Sequence, residues 1–466
     1  MVRGTTLGAW AAGGYAHLRT WPREAWAALA VALLAVLLRL NHLDVPTENY
    51  DEGVYTTSLR ALAAGHPLFA QTYSAQPPLF LPLLLPWYHV LGGTLLAARL
   101  GVVSYSLLGL GAVWWLGNLL GGQRVGLVAL ALLAVDPLYL QQSRAVQAEA
   151  PALAFALCAV ALAASARQHP RLWRAALAGG AFAVALLIKL FVVTALIPVA
   201  AFLLAPFFRD LMQDALAARR WPTQAQWQSA LRASAPTIAA SVGAALAIIL
   251  LVTLSQADRG AEWAQVIGLH LRASSGGYGS RADNPGIFAG IWWEWPLVLT
   301  GVAAGYVGWR SHRWSAVALA LWSAANLTVL VVQTPLFAHH LVLLAPASIA
   351  AAALFADPTF AQSAEGRIPP QVRAALHALS TSLRVGESVL LALLLIAVVV
   401  SGAQTITAPR TVPLSLAQAA ADLQQFTVAS EWVVTDDQMA AVVAGRQVPP
   451  ALVDTSLVRI ASGALT

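Results

Sequence analysis

Residues 25–43 read AWAALAVALLAVLLRLNHL. No soluble helix needs apolar residues on every side, because water wets at least one of its faces. A lipid-spanning helix does, since all its backbone bonds are internal and its side chains meet hydrocarbon all round. The run lacks a small-residue cleavage site, so it reads as a signal anchor.

The rest of the chain repeats this pattern. Of the 466 residues, 59% are hydrophobic and only 10% charged, where a soluble domain carries about 25% charged residues. Further apolar runs cover roughly 91–118, 125–140, 150–166, 175–188, 190–207, 234–255, 291–309, 314–333, 340–356 and 387–403, which makes about eleven spans. The stretch 175–207 reads as two short helices broken near Lys189 or as one long tilted helix. The net charge of +6 is not a nucleic-acid signal, because the arginines sit in short clusters between apolar runs. With the N-terminus inside, the inner segments hold sixteen of the 27 basic residues and six of the 21 acidic ones. This is the charge bias of cytoplasmic loops. The single cysteine, Cys158, allows no intrachain disulfide and reads as a small buried or lipid-facing residue.

These spans divide the chain into a membrane domain over 1–403 and an outer C-terminal region over 404–466. Two long outer loops interrupt the membrane domain, at 44–90 and 256–290. In the first, residues 53–64 have helical periodicity and Gly65-His66-Pro67 stops them. A second piece spans Leu79–Val90, with Trp87 and Tyr88 as interface anchors, and its prolines exclude a helix from start to finish. The basic inner segments 209–233 and 357–386 read as surface helices. The tail mixes a strand-like Phe426-Thr427-Val428 with a helix near 438–443, so a small α/β appendage is expected.

In so charge-poor a chain, each acid or base in an apolar setting asks for a reason. Asp51 and Glu52 follow the first span as an adjacent pair. Asp51 can cap a helix starting at Gly53, with Glu52 at its positive end, or the pair can do chemistry. Glu149 stands where spans three and four meet, as a helix-start residue or as a buried functional acid. Asp136-Pro137 reads as a helix terminator. Lys189, the only lysine, reaches either bare headgroups or a lipid phosphate. His339 and His340, adjacent and so not on one helix face, serve packing or bind a phosphate, sugar or metal. Glycine-rich phosphate loops, HExxH, GxSxG and cysteine-rich metal patterns are absent from the sequence.

Read in order, Asp51-Glu52-Gly53-Val54-Tyr55, Ala64-Gly65-His66-Pro67, Gln76-Pro77-Pro78-Leu79, Glu149-Ala150-Pro151 and Leu187-Ile188-Lys189 resemble the phospholipid-carrier-dependent glycosyltransferases. These GT-C membrane enzymes include the protein O-mannosyltransferases and the lipid A aminoarabinose transferase. The resemblance runs over about 40–200. It implies an all-α GT-C-like bundle; the arginine-rich, lysine-poor composition suits a prokaryotic inner membrane, and the charge bias puts the N-terminus in the cytoplasm and the C-terminus outside. The resemblance implies transfer of a sugar from a polyprenyl-phosphate donor to an acceptor hydroxyl on the outer face, by a single inverting displacement. Asp51 then matches the catalytic base, Glu149 the second acid that positions acceptor or metal, and Glu52 completes the acidic pair. Lys189, Arg144, His340, His339, Gln76 and Tyr55 become candidates for the substrate and lipid phosphate. No cofactor is required, and a divalent metal on Glu149 and His340 is compatible. Many members carry His or Lys before the Pro-Pro pair. Gln76 departs from this and shifts the phosphate charge to Lys189 and neighbouring arginines. The partners expected are the lipid-linked sugar, membrane lipids and an acceptor that is a lipid, glycan or protein. A lipid-linked sugar transporter or flippase uses similar spans and stays open at this level, although its site belongs at mid-membrane.

Overall fold

The computed structural model describes residues 23–218, 221–275, 279–365 and 385–465. The protein is a polytopic all-α membrane protein: among the described residues, extended pairing is confined to two isolated bridges. Among the described residues, seven helices are long and apolar enough to cross a bilayer. The four other expected spans are also helices: Arg23–Leu40, Gln123–Val135, Leu172–Ile188 and Trp295–Arg310. They fall short of the length or apolarity test. Arg23–Leu40 carries Arg23, Glu24 and Arg39. Arg39 is nonetheless accommodated inside the bundle. Its guanidinium donates to Ser106 Oγ at 3.0 Å and to the Ala35 and Ala134 carbonyls, each at 3.1 Å.

Burial separates centre from rim. In the most apolar stretch of each, 83% of residues are buried in the helix Glu149–Gln168 and 89% in the segment Ala338–Ala356, against 6% in Gln224–Ser255. The two central segments are rich in alanine, which lets neighbouring backbones approach closely. At Gly179 the approach is closer still, because a Cβ there would collide with the Ser241 carbonyl.

Asp136 ends one helix and caps the next, accepting from the Tyr139 N–H at 2.7 Å. The 175–207 region resolves into two pieces. The helix Leu172–Ile188 stops at Lys189, whose backbone is extended (φ −156°, ψ 128°), and a 3-10 turn Leu190–Ala195 leads into Leu196–Ala218. The inner segment 209–233 is not a separate surface helix. It is taken up by the end of Leu196–Ala218 and the start of Gln224–Ser255. Most of the other expected surface helix, 357–386, lies outside the described residues, as do Arg3 and Arg19.

Three expectations for the outer segments need correction. The first-loop helix starts at Tyr50, not Gly53, because Asn49 caps it: its side chain accepts the Glu52 N–H at 3.1 Å. The second piece is one continuous helix, Phe80–Val90. Pro82 stands in its first turn, where an N–H has no partner anyway, so only Pro86 costs a ladder bond. Within it Trp87 is exposed but Tyr88 is buried. Finally, the tail is not α/β. It consists of Leu414–Phe426, Gln438–Ala444, Leu457–Ala461 and connecting loops. Phe426 closes the first of these helices, and a single bridge, Trp432 to Gln447, is the only pairing in the described tail. A lone strand-like run with no neighbouring strand leaves its backbone unpaired and so forms no sheet. Gly445 ends the second helix in the left-handed region (φ 69°), as the turn signal suggests.

Candidate active site

The Asn49 cap decides what the two adjacent acids do. Glu52, third in the helix, turns into the bundle and is fully buried. It accepts from Arg99 Nε at 2.7 Å and Nη2 at 2.6 Å, and from the Val146 N–H at 2.8 Å. Arg99 also donates to the carbonyls of Leu43 and Val45. The Glu52 carboxylate is thus saturated, and it braces the first loop against the second span and the 143–148 loop. The structure does not bring Glu52 into a catalytic group. This corrects the paired reading: successive helical residues diverge, and only one of the two acids can face a site.

Asp51 is that residue. Its side chain keeps 39% of its surface accessible, and its Oδ2 lies 3.7 Å from His339 Nδ1. His339 Nε2 lies 3.5 Å from Glu149 Oε1, so one imidazole stands between the two carboxylates. Both separations are longer than hydrogen bonds. Burial pushes the Asp51 carboxyl above its ordinary value of 3.8. His339 opposes this most strongly, Glu149 adds to it, and weaker opposite effects come from Lys189 and Asp454.

Glu149, buried at the start of its helix, does not act as a cap. The cap position is Ala148, with no side-chain bond, and the Glu149 carboxylate is taken by the Lys189 ammonium in a buried ion pair. Lys189 arrives there because its extended backbone at the helix break turns the side chain inward, over the Phe191 ring (5.2 Å). It does not snorkel. His340 sits on the same 3-10 turn as His339, Ala338–Leu343, with its ring edge-on to Phe191 at 4.6 Å. Its Nδ1 lies 3.0 Å from Gln333 Nε2. The tight turn brings both histidines toward Glu149, which a regular α-helix would not do.

Glu149, His339 and His340 offer ligand atoms within 4.8 Å of one another, a nitrogen-rich set suited to zinc-like ions. The Lys189 ammonium already bonds Glu149 Oε1. As arranged, the Lys189 ammonium is the cation paired with Glu149, and a metal held by Glu149, His339 and His340 would share that carboxylate with it.

Gln76 reaches the edge of the group through Tyr55, donating from Nε2 to Tyr55 Oη at 2.7 Å. Burial pushes the Tyr55 phenol up, and the Asp51 and Glu149 carboxylates add to that. Arg144 stays apart from the group, with its Nη2 on the Asn41 carbonyl. Two neighbours have no counterpart in the sequence reading. Arg99 stands in an apolar span at the loop-bearing end, where a basic residue is out of pattern, and this was a usable signal. Asp454, in the tail, accepts from Tyr50 Oη at 3.2 Å, and no local pattern marks it.

The group is therefore Asp51, His339, Glu149 and Lys189, with Tyr55, Gln76 and His340 around it. All lie at one end of the bundle. Such a group can take up a proton at Asp51 and can hold negative charge near the Lys189 ammonium.

A family model described as dolichyl-phosphate-mannose-protein mannosyltransferase matches residues 75–218. No curated protein sequence matches the chain. Among solved structures, the fold is similar to ArnT from Cupriavidus metallidurans bound to undecaprenyl phosphate. The TM-score is 0.59 at 18% identity, over 92% of this chain and 86% of that one. It is also similar to the archaeal oligosaccharyltransferase AglB from Archaeoglobus fulgidus, in complex with an inhibitory peptide and a dolichol-phosphate. There the TM-score is 0.55 at 13% identity, over 92% of this chain and 65% of that one, so the chain spans just under two thirds of AglB. The family model thus covers under a third of the chain, while the fold over nine-tenths of it is similar to that of ArnT.

Proposed function

We propose that the protein is a membrane glycosyltransferase. It moves a sugar from a polyprenyl-phosphate donor to an acceptor hydroxyl at the outer face of a prokaryotic plasma membrane. The observation that carries this reading is Asp51. It is an accessible carboxylate beside a buried carboxylate already neutralised by lysine, at one end of a GT-C bundle. The solved relatives bound to undecaprenyl phosphate and to a dolichol-phosphate support the donor class. The arginine bias of the segments at the opposite end supports an N-terminus inside and a tail outside.

In this mechanism Asp51 accepts the proton of the acceptor hydroxyl as that oxygen bonds to the anomeric carbon. The bond from that carbon to the phosphate oxygen breaks, and the electron pair leaves with the lipid phosphate. One displacement inverts the anomeric centre. A phosphate leaves without a general acid, so positioning and charge carry most of the rate. His339 steadies Asp51, while Lys189 keeps Glu149 charge-balanced. The Lys189 ammonium, with donors beyond its bond to Glu149, offers positive charge to the departing phosphate. Lys189 thus does the work that a divalent ion could otherwise do.

The test is transfer of radiolabelled sugar from undecaprenyl-phosphate sugars in proteoliposomes, wild type against Asp51→Asn. Transfer that is lost in the variant, with donor binding retained, is the expected result. Absence of transfer across a broad donor and acceptor panel, together with movement of the lipid between leaflets, would replace this reading with a flippase.

A further inference from the structure

The first turn of the helix Tyr50–Ala63 carries Asp51, and first turns are where helices fray, since their N–H groups have no partners within the helix. Three ties hold this one. The Asn49 cap is local. The Glu52–Arg99 bridge comes from the second span. The third comes from the far end of the chain, 404 residues away: Tyr50 Oη donates to Asp454 Oδ1 at 3.2 Å and accepts the Thr455 N–H at 3.0 Å. The tail side of this tie is itself fixed. Asp454 Oδ1 also accepts the Ser456 N–H at 2.8 Å. Arg459 donates to the Asp454 carbonyl at 2.6 Å and lies 3.7 Å over the Tyr73 ring. The tail backbone meets the same helix at Gly53, where a Cβ would come within 2.5 Å of the Met439 nitrogen.

We infer that Asp454 and Thr455 clamp the Tyr50 hydroxyl and so act as positioning residues for the neighbouring Asp51. The tail thereby completes the site without touching substrate. The clamp rests on the proposed role of Asp51 for its catalytic meaning, but its geometry does not. The bridge from Glu52 points into the bundle, so without the clamp the Asp51 side of the turn keeps only the Asn49 cap and the packing of Gly53 against the tail. A displacement of about 1 Å at a reacting group is enough to cost about a hundredfold in rate.

The experiment compares wild type, Tyr50→Phe, Asp454→Ala, Asp454→Asn and the Tyr50→Phe/Asp454→Ala double variant as full-length protein in nanodiscs. The first readout is hydrogen exchange of residues 47–56. The second is release of undecaprenyl phosphate from undecaprenyl-phosphate mannose and arabinose in the presence of envelope extract. Tyr50→Phe and Asp454→Ala should each speed exchange in 47–56 and leave that of the spans unchanged. Each should lower kcat about tenfold with donor KM within about twofold, the pattern of lost transition-state alignment. The double variant should be no worse than either single one, and Asp454→Asn, whose amide oxygen still accepts, should restore most of the loss. Unchanged exchange in Tyr50→Phe overturns the clamp, as does a loss carried by KM or spread over the spans. If wild type releases no lipid phosphate, the function reading fails, while exchange in 47–56 still decides the clamp.

Discussion

Lys189 reaches across 40 residues of sequence to neutralise Glu149, and both side chains are buried. Removing one partner of such a pair strands a charge in a low-dielectric interior and costs about 3–5 kcal/mol, whereas replacing both by apolar or neutral groups is often close to neutral. Lys189→Met should therefore lower the thermal midpoint sharply, and Lys189→Met/Glu149→Gln should recover most of it. Tryptophan fluorescence during heating in detergent measures both. A double variant no more stable than the single one would mean that the pair is not what holds this joint.

Asp51 titrates above the ordinary carboxylate value because burial disfavours its charge. Transfer should then fall away on acidification at a pH above 3.8, as the base is protonated. The same shift has a stability side. In the folded protein the ionised form is disfavoured, so Asp51 costs stability wherever it is ionised. That cost is present at neutral pH and disappears below its unfolded pKa of about 3.9. Asp51→Asn should abolish transfer while raising the thermal midpoint at pH 7, with the gain fading toward pH 4. A variant less stable than wild type at pH 7 would contradict this.

Glu52 and Asp51 should part company in mutagenesis. Glu52→Gln weakens the bridge to Arg99 and leaves the guanidinium without its counter-charge, a loss of about 3–5 kcal/mol. It should reduce the yield of folded protein, and the surviving fraction should retain transfer per folded molecule. Size-exclusion yield and specific activity separate the two effects.

Gly53 admits no side chain against the tail backbone. Gly53→Val should loosen the contact with Gln438–Ala444 at an overpacking cost of about 1–3 kcal/mol. Limited proteolysis should then cut the tail faster than in wild type, with the bundle left whole.

A divalent ion and the Lys189 ammonium compete for Glu149. Because the ammonium already bonds Oε1, transfer should survive EDTA. Restoration by added Mg²⁺ or Zn²⁺ of activity lost on chelation would assign the metal role to Glu149, His339 and His340 instead.

Much of this was legible in the sequence because charge is scarce. Asp51, Glu149 and Lys189 stand out against alanine and leucine, and the break at Lys189 is visible as an interruption between two apolar runs. Which of Asp51 and Glu52 faces the site was not legible. It depends on Asn49 taking the cap and on Arg99, distant in sequence, claiming Glu52. The approach of both histidines to Glu149 depends on a 3-10 turn that residue pattern alone does not specify. The tail was misread because Phe426-Thr427-Val428 has strand propensity, and propensity cannot reveal that no partner strand is nearby. Asp454 was missed because its partner is a tyrosine at the other end of the chain.

The joining of Tyr50 to Asp454 and Thr455 also sets an order in time. Tyr50, on the helix bearing Asp51, is made 404 residues before Asp454, which secures it. A nascent chain held up in synthesis after its spans are inserted would present donor lipids with an unsecured first turn. Full activity would follow only when the closing residues have docked on that helix.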